Sequence, residues 1–202
     1  MSDSKVYIVD DDESYLRAIS RMLRLAGFLV VNFTSAAEFL SQLGSATEGC
    51  VVADLQMPGM DGMALQTALQ QTDNPLPIVF LTGHGDIPTS VQAMRYGAED
   101  FLTKDAPKED LINAVQRALA RDAQERAERE RLATLRQRFG LLSARELEVL
   151  KHVLQGRMNK QIADGLSINE RTVKLHRTAI TTKLGVNSVA ELTKLWMEAS
   201  GS

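Results

Sequence analysis

Only one cysteine, Cys50, occurs in 202 residues, so no disulfide can form within the chain. Lying beside an apolar run, it reads as a small buried hydrophobe rather than a reactive thiol. No apolar run approaches the ~18 residues that a membrane span needs. The opening stretch, MSDSKVYIVDDD, turns acidic where a secretory signal would be basic and then apolar. These absences exclude a disulfide-stapled secreted scaffold and a membrane-spanning class. A cytoplasmic chain with no membrane partner is expected. Glycine and proline are also missing from residues 108 to 138, so nothing there breaks a helix. What is present is 44% hydrophobic and 24% charged residues, a globular composition with length enough for two domains.

The formal net charge of −3 conceals an asymmetry. Residues 1–116 carry 7 Lys/Arg and 16 Asp/Glu, a net of −9. Residues 117–139 carry 7 and 4, and residues 140–202 carry 9 and 6, each a net of +3. An acidic front half joined to a basic back half implies different partners for the two. The back half is basic enough to permit nucleic-acid binding, not to establish it.

Up to about residue 116, apolar runs alternate with helical periodicity. KVYIVD, FLVVNF, CVVAD, PIVFLT and EDFLTK read as five strands. Between them Leu16, Ile19 and Leu23 recur at helical spacing until Gly27, and Ser35-x-x-Glu38 is a capping box opening a short helix. Further helices are expected from about Met63 to Gln71, from about Pro88 to Tyr96, and after Pro107 through Leu111, Ile112, Val115 and Leu119. Strands that are apolar throughout imply a parallel sheet covered on both faces. Sites in such sheets form at the carboxyl ends of the strands.

Those ends share one property. The first strand finishes at Asp10-Asp11-Asp12, the third at Asp54, the fourth at Thr82-Gly83 and the fifth at Lys104. A lone buried carboxylate is costly, so Asp54 at the end of Val51-Val52-Ala53 needs company. Carboxylates converging this densely need a counter-charge, and hard oxygen ligands suit Mg²⁺. Each residue alone has a plainer reading. Asp10 to Asp12 could cap a helix, Lys104 could form an ordinary salt bridge, and Thr82 could be a satisfied hydroxyl. For the three aspartates both readings stay open. The polarity of all four ends together is what points to a site.

This set resembles the receiver domain of bacterial two-component response regulators over residues 4–120. The resemblance implies a doubly wound, five-stranded, flavodoxin-like α/β fold and phosphorylation of Asp54 by a sensor histidine kinase. It implies that Asp11 and Asp54 ligate Mg²⁺ directly, that Asp10 helps through water, and that the Gln56 carbonyl supplies another oxygen. Lys104 would pair with phosphoryl oxygens, Thr82 would hydrogen-bond one, and Phe101 would take the aromatic switch position. One position departs from the pattern. Receivers usually place a proline, with a cis bond, directly after that lysine, whereas here Asp105 follows and Pro107 comes two later. A cis bond before a non-proline residue costs ~2.5–4 kcal/mol, so the aim of Lys104 is in question.

Residues 108 to about 138 read as one helix, spanning roughly 45 Å at 1.5 Å per residue. Residues 121–139 form a helical linker between a first domain, 1–120, and a second, 140–202. Within Asp122 to Glu130 only Ala123 and Ala127 are apolar, a weak seam for a coiled coil. Beyond Gly140, Ser143-x-x-Glu146 and Ser188-x-x-Glu191 are capping boxes, and Asn169 is the expected N-cap of a longer helix. Four short helices, the second and third joined tightly, describe a helix-turn-helix unit or a plain helical bundle.

LSARELEVLKHVLQG, NKQIADGLSI, TVKLH and KLGVNSVAEL resemble the DNA-binding domain of the NarL/FixJ (LuxR-type) regulators over residues 141–197, and the whole chain is FixJ-like in pattern. The resemblance implies that Lys174, Leu175 and Thr178 enter the major groove of double-stranded DNA. Asn159, Lys160, Arg171, Arg177 and Lys183 would contact phosphates, fixing position without reading bases. His176 is either a further family position or a packing histidine. Gly165 and Ser167 depart from the pattern. The implied function is transcription control by a non-enzymatic phosphoryl acceptor, with homodimerisation on activation and RNA polymerase as a further partner. Two other classes share some of these features. A Mg²⁺-dependent phosphatase needs an acid-base carboxylate where this chain has Gln56. A phosphate sink or protein-interaction module would keep the receiver, with a C-terminal domain that no longer binds DNA.

Overall fold

The computed structural model describes residues 5–44, 46–83 and 87–200, so the outermost residues of the expected domains lie outside it. The chain divides into two compact units, Met1–Arg126 and Ala127–Ser202. In the first, β1 (Lys5–Val9), β2 (Leu29–Phe33), β3 (Gly49–Ala53), β4 (Ile78–Thr82) and β5 (Asp100–Thr103) alternate with α1 (Glu13–Leu25), α2 (Ala36–Gln42), α3 (Gly62–Gln70) and α4 (Ile87–Arg95). Then α5 (Lys108–Gly140) begins. The five strands pair in parallel in the order β2-β1-β3-β4-β5.

Successive strand side chains point to opposite faces, which is why each apolar run fills two cores. Tyr7, Val9, Val51, Ala53, Ile78 and Phe80 pack with Phe39, Leu65, Leu69 and Ala93 of α2, α3 and α4. Val6, Ile8, Cys50, Val52, Val79 and Leu81 pack with Leu16 and Leu23 of α1 and with Leu111, Ala114, Val115 and Ala118 of α5. Cys50 is fully buried, and burial pushes its thiol well above its usual range, as expected of a packing residue. The strand order reverses at β1, with β2 on one side and β3 on the other. This reversal opens a crevice at the carboxyl ends of β1 and β3, where Asp10 and Asp54 follow.

Gly62 keeps α3 tight against that crevice. Its N–H donates to the Leu55 carbonyl at 2.9 Å. A Cβ there would lie 2.5 Å from the Asp54 carbonyl oxygen and 2.8 Å from the Phe80 ring. Farther along, α5 is held to the first unit by side chains past residue 120. Asp122 is buried and its carboxylate accepts from the Gly49 N–H at 3.0 Å, while Arg126 pairs with Glu48.

The second unit packs the end of α5 with α6 (Ala144–Leu154), α7 (Asn159–Leu166), α8 (Glu170–Leu184) and α9 (Val189–Ser200). Leu135 and Phe139 of α5 are buried with Leu150, Ile162, Val173, Ile180, Leu184 and Leu192. The Phe139 and Trp196 rings meet edge to face, 5.3 Å apart. Ser143 and Glu146 form the full reciprocal capping box, with bonds of 3.2 and 2.6 Å. The other two boxes differ by one residue. Glu38 reaches the Thr34 N–H and Glu191 the Asn187 N–H, so each glutamate ties down the residue before the cap. Asn169 caps α8 through the Thr172 N–H at 2.8 Å. In the tight turn before it, Ser167 takes a left-handed φ of 54°, a conformation that disfavours a side chain. Gly165 has no such requirement, since a Cβ there would meet only Arg157, at 3.9 Å.

Candidate functional site

Three consecutive aspartates follow β1, and they divide the work. Asp12 is the N-cap of α1, accepting from the N–H groups of Ser14 and Tyr15 at 2.8 and 3.1 Å. Asp10 is buried and Asp11 exposed, and a carboxylate oxygen of each lies within 4.8 Å of the others in a group with Asp54. The helix-capping reading thus holds for Asp12, while Asp10 and Asp11 group with Asp54.

Asp54 is only 8% exposed. Its N–H donates to the Val9 carbonyl at 2.8 Å, which seats it beside the end of β1. One carboxylate oxygen accepts from the Gln56 N–H at 3.3 Å, and the other meets the Lys104 ammonium at 2.9 Å. The same ammonium lies 2.6 Å from Asp10. Burial raises the Asp10 carboxyl above its ordinary range, with the bond to Lys104 opposing it. Burial also works to lower the Lys104 ammonium, yet its bonds to Asp10 and Asp54 outweigh this and leave it raised. Thr82 is buried at the end of β4, and its carbonyl accepts from the Lys104 N–H at 2.8 Å. Phe101 is half-buried on β5, its ring 6.0 Å from that of Phe80. Gln56 is exposed in the loop after β3.

With Asp105 in place of the proline, Lys104 still turns toward the carboxylates. All peptide bonds among the described residues are trans, and Lys104 reaches both carboxylates. Asp105 is exposed and its carboxyl is held low by a hydrogen bond from the Thr103 side chain. Replacing Asp105 with proline should then bring no gain in the yield of phosphoryl labelling at this site. The replacement also restricts the backbone of Lys104, so a modest loss is the expected result. A clear rise in yield, read by intact-mass spectrometry, would mean that Lys104 is aimed suboptimally.

Sequence reasoning overlooked Tyr15. Its ring lies 4.4 Å from the Lys104 ammonium, and its hydroxyl donates to the Lys104 carbonyl at 3.4 Å. The signal was available: Tyr15 is the one aromatic residue of α1, in its first turn, three residues after the last of the aspartates.

In the second unit, Arg171, Lys174, Leu175 and Thr178 are all exposed on one face of α8, with spacings of three and four. Leu175 is 64% exposed, on the side away from Val173, Ile180 and Leu184. Lys160 is exposed on α7. Asn159 accepts from Arg177 at 3.0 Å, which ties the start of α7 to α8. His176 is half-buried at the edge of this face. Lys183 departs from expectation. Its ammonium sits 2.7 Å from Glu146 and 3.1 Å from the Leu141 carbonyl, because Glu146 is buried and needs a counter-charge. Lys183 is thus engaged by Glu146 in the free protein, with 38% of its side chain still exposed.

No helix among the described residues is long and apolar enough to cross a membrane. Residues 6–116 match the response regulator receiver domain, and residues 140–196 match the luxR family of bacterial regulatory proteins. The chain is 42% identical to the response regulator protein TmoT of Ectopseudomonas mendocina over 193 residues, 96% of this chain and 88% of that one. It is 38% identical to the transcriptional regulatory protein FixJ of Bradyrhizobium diazoefficiens over 195 residues, 96% and 95% of the two chains. The solved structure of the response regulator StyR matches with a TM-score of 0.86 at 43% identity, covering 98% of this chain and 100% of that one. A parallel sheet with an acidic crevice at its reversal point, followed by a luxR-type helix-turn-helix, thus places this chain in the two-component response regulators that control transcription.

Proposed function

We propose that Asp54 is the phosphoacceptor of this regulator, that a sensor histidine kinase is the donor, and that the second unit reads double-stranded DNA through α8. The observation that carries the reading is the buried Asp54, grouped with the Asp10 and Asp11 carboxylates and paired with the Lys104 ammonium. In the transfer, an Asp54 oxygen attacks phosphorus and the bond from phosphorus to the donor imidazole breaks. Its electron pair returns to the ring nitrogen, which takes up a proton.

Three carboxylates with oxygens within 4.8 Å form an all-oxygen donor set that fits Mg²⁺. Asp10, Asp11 and Asp54 would hold it, with the Gln56 carbonyl as a further donor. When bound, the ion offsets negative charge on the transferring group. Lys104, already 2.9 Å from Asp54, would offset the same charge. Thr82, at the end of β4, would donate to a phosphoryl oxygen, and Phe101 would report the change to the surface. Phosphorylation then favours a homodimer whose two DNA-binding units engage two half-sites together, gaining affinity from effective concentration. Lys174, Leu175 and Thr178 would read base edges. Lys160, Arg171 and Arg177, with Asn159, would hold phosphates. RNA polymerase is a further partner on the bound DNA.

The test is mass spectrometry of the full chain after incubation with phosphoramidate and Mg²⁺. One phosphoryl adduct is expected, lost in Asp54→Asn and lost in Asp11→Ala. An adduct that survives Asp54→Asn would place the acceptor elsewhere.

A further inference from the structure

Most of what surrounds Lys104 is explained by its two carboxylate partners. The Tyr15 ring is not. An ammonium between two carboxylates needs no third partner for charge, yet the face of an aromatic ring lies 4.4 Å from Nζ. The same residue bonds the Lys104 carbonyl through its hydroxyl, at 3.4 Å. Tyr15 therefore holds Lys104 at both ends, across 89 residues of chain. Its own position is fixed, because its N–H donates to the Asp12 cap of α1 at 3.1 Å.

We propose that Tyr15 is a positioning residue for phosphoryl transfer, its ring confining the Lys104 ammonium beside Asp54. The proposal rests on Asp54 being the phosphoacceptor. The physical case is one of freedom. Lys104 carries a flexible four-carbon stem and a point charge with rotatable donors, so it has little orientation of its own. A ring face attracts the ammonium without competing as a hydrogen-bond acceptor, so all of its N–H donors stay free for oxygen. When a phosphoryl group takes the place of Asp54 Oδ2 as the lysine's partner, the ring still marks where the ammonium belongs. A carboxylate in place of the ring would bind the lysine too tightly to share it, and an aliphatic side chain would not bind the charge. Tyr15 is half-buried, so the attraction is only partly screened by water.

The experiment compares Tyr15→Phe and Tyr15→Leu with wild type in the full chain. Labelling by phosphoramidate is followed in time, and the Lys104 side-chain CH₂ resonances are followed by NMR. Tyr15→Leu should slow labelling by about 3- to 30-fold, the range of a partly desolvated cation–π contact. Tyr15→Phe, which keeps the ring, should recover most of the rate. The ring also shifts the Lys104 resonances upfield, a signature kept in Phe and lost in Leu. Equal rates in Leu and wild type would overturn the proposal, and so would equal losses in Leu and Phe. A slowed Leu variant with unmoved Lys104 resonances would overturn it as well. Labelling that survives Asp54→Asn would instead remove the phosphoacceptor reading, while the resonance shift would still report whether the ring holds Lys104.

Discussion

A C-terminal fragment that begins at residue 140 should lose most of its cooperative folding, whereas one that begins at residue 127 should melt as a single domain. The reason lies in α5, whose last turns carry Leu135 and Phe139 into the second core. Truncating such residues costs about 2–5 kcal/mol for leucine and about 3–5 for phenylalanine. A domain of this size holds only about 5–15 kcal/mol in total. Trp196 reports the outcome directly, since its ring meets that of Phe139. Urea titration followed by Trp196 fluorescence should give a sharp transition for the 127–202 fragment. Equal midpoints for the two fragments would show that the end of α5 contributes nothing to this core. The single substitution Phe139→Ala, in the full chain, should reproduce much of the loss.

Lys174→Ala and Lys183→Ala should differ in kind. Lys174 lies exposed on the outer face of α8 and forms no ion pair among the described residues, and a good base contact is worth about 1–3 kcal/mol of discrimination. Its loss should narrow the gap between operator and scrambled DNA while leaving thermal stability alone. Lys183→Ala strands the buried Glu146 carboxylate, costing about 1–3 kcal/mol of stability after allowance for the half-open lysine. The salt slope of DNA binding should move by much less than the ~0.9 expected for a lost phosphate contact. A pH dependence follows as well. The Lys183 bond, chiefly, and then the Ser143 N–H hold the Glu146 carboxyl below its ordinary 4.5. A depressed carboxyl stabilises the fold above its unfolded value, and that stability is lost as pH falls through the folded one. Lys183→Ala should therefore flatten the acid limb of a stability-against-pH curve. An unchanged limb with a slope shifted by a full phosphate contact would return Lys183 to the DNA.

Much of this molecule was legible because its strands are apolar throughout and its helices carry caps. Five runs became five parallel strands, and Asp54 stands where Val51-Val52-Ala53 ends. The convergence of Asp10, Asp11, Asp54 and Lys104 was also readable, because parallel order puts all strand ends on one edge. Three features were not. The role of α5 past residue 120 was hidden by its surface composition, in which Asp122, Leu135 and Phe139 are scattered among Arg and Glu. Lys183 looked like any surface cation of a DNA-binding helix, since its partner Glu146 lies 37 residues earlier and is buried only by tertiary packing. Tyr15 was not legible because its partner Lys104 lies 89 residues later in the chain. What sequence periodicity cannot carry is pairing across elements.

In the proposed function, phosphorylation of Asp54 controls how α8 meets DNA. The direct measurement is a titration of operator and scrambled duplexes with the full chain, with and without phosphoramidate, for wild type and Asp54→Asn, at several salt concentrations. Operators are obtained beforehand by selecting genomic fragments with the phosphorylated protein. Phosphoramidate should tighten operator binding by wild type about tenfold or more, with little effect on scrambled DNA. Asp54→Asn should show the weaker affinity under both conditions. If wild type binds both duplexes with the same affinity whether or not Asp54 is phosphorylated, the control claim fails. If no duplex is bound at all, the chain is a phosphate sink rather than a DNA-reading regulator.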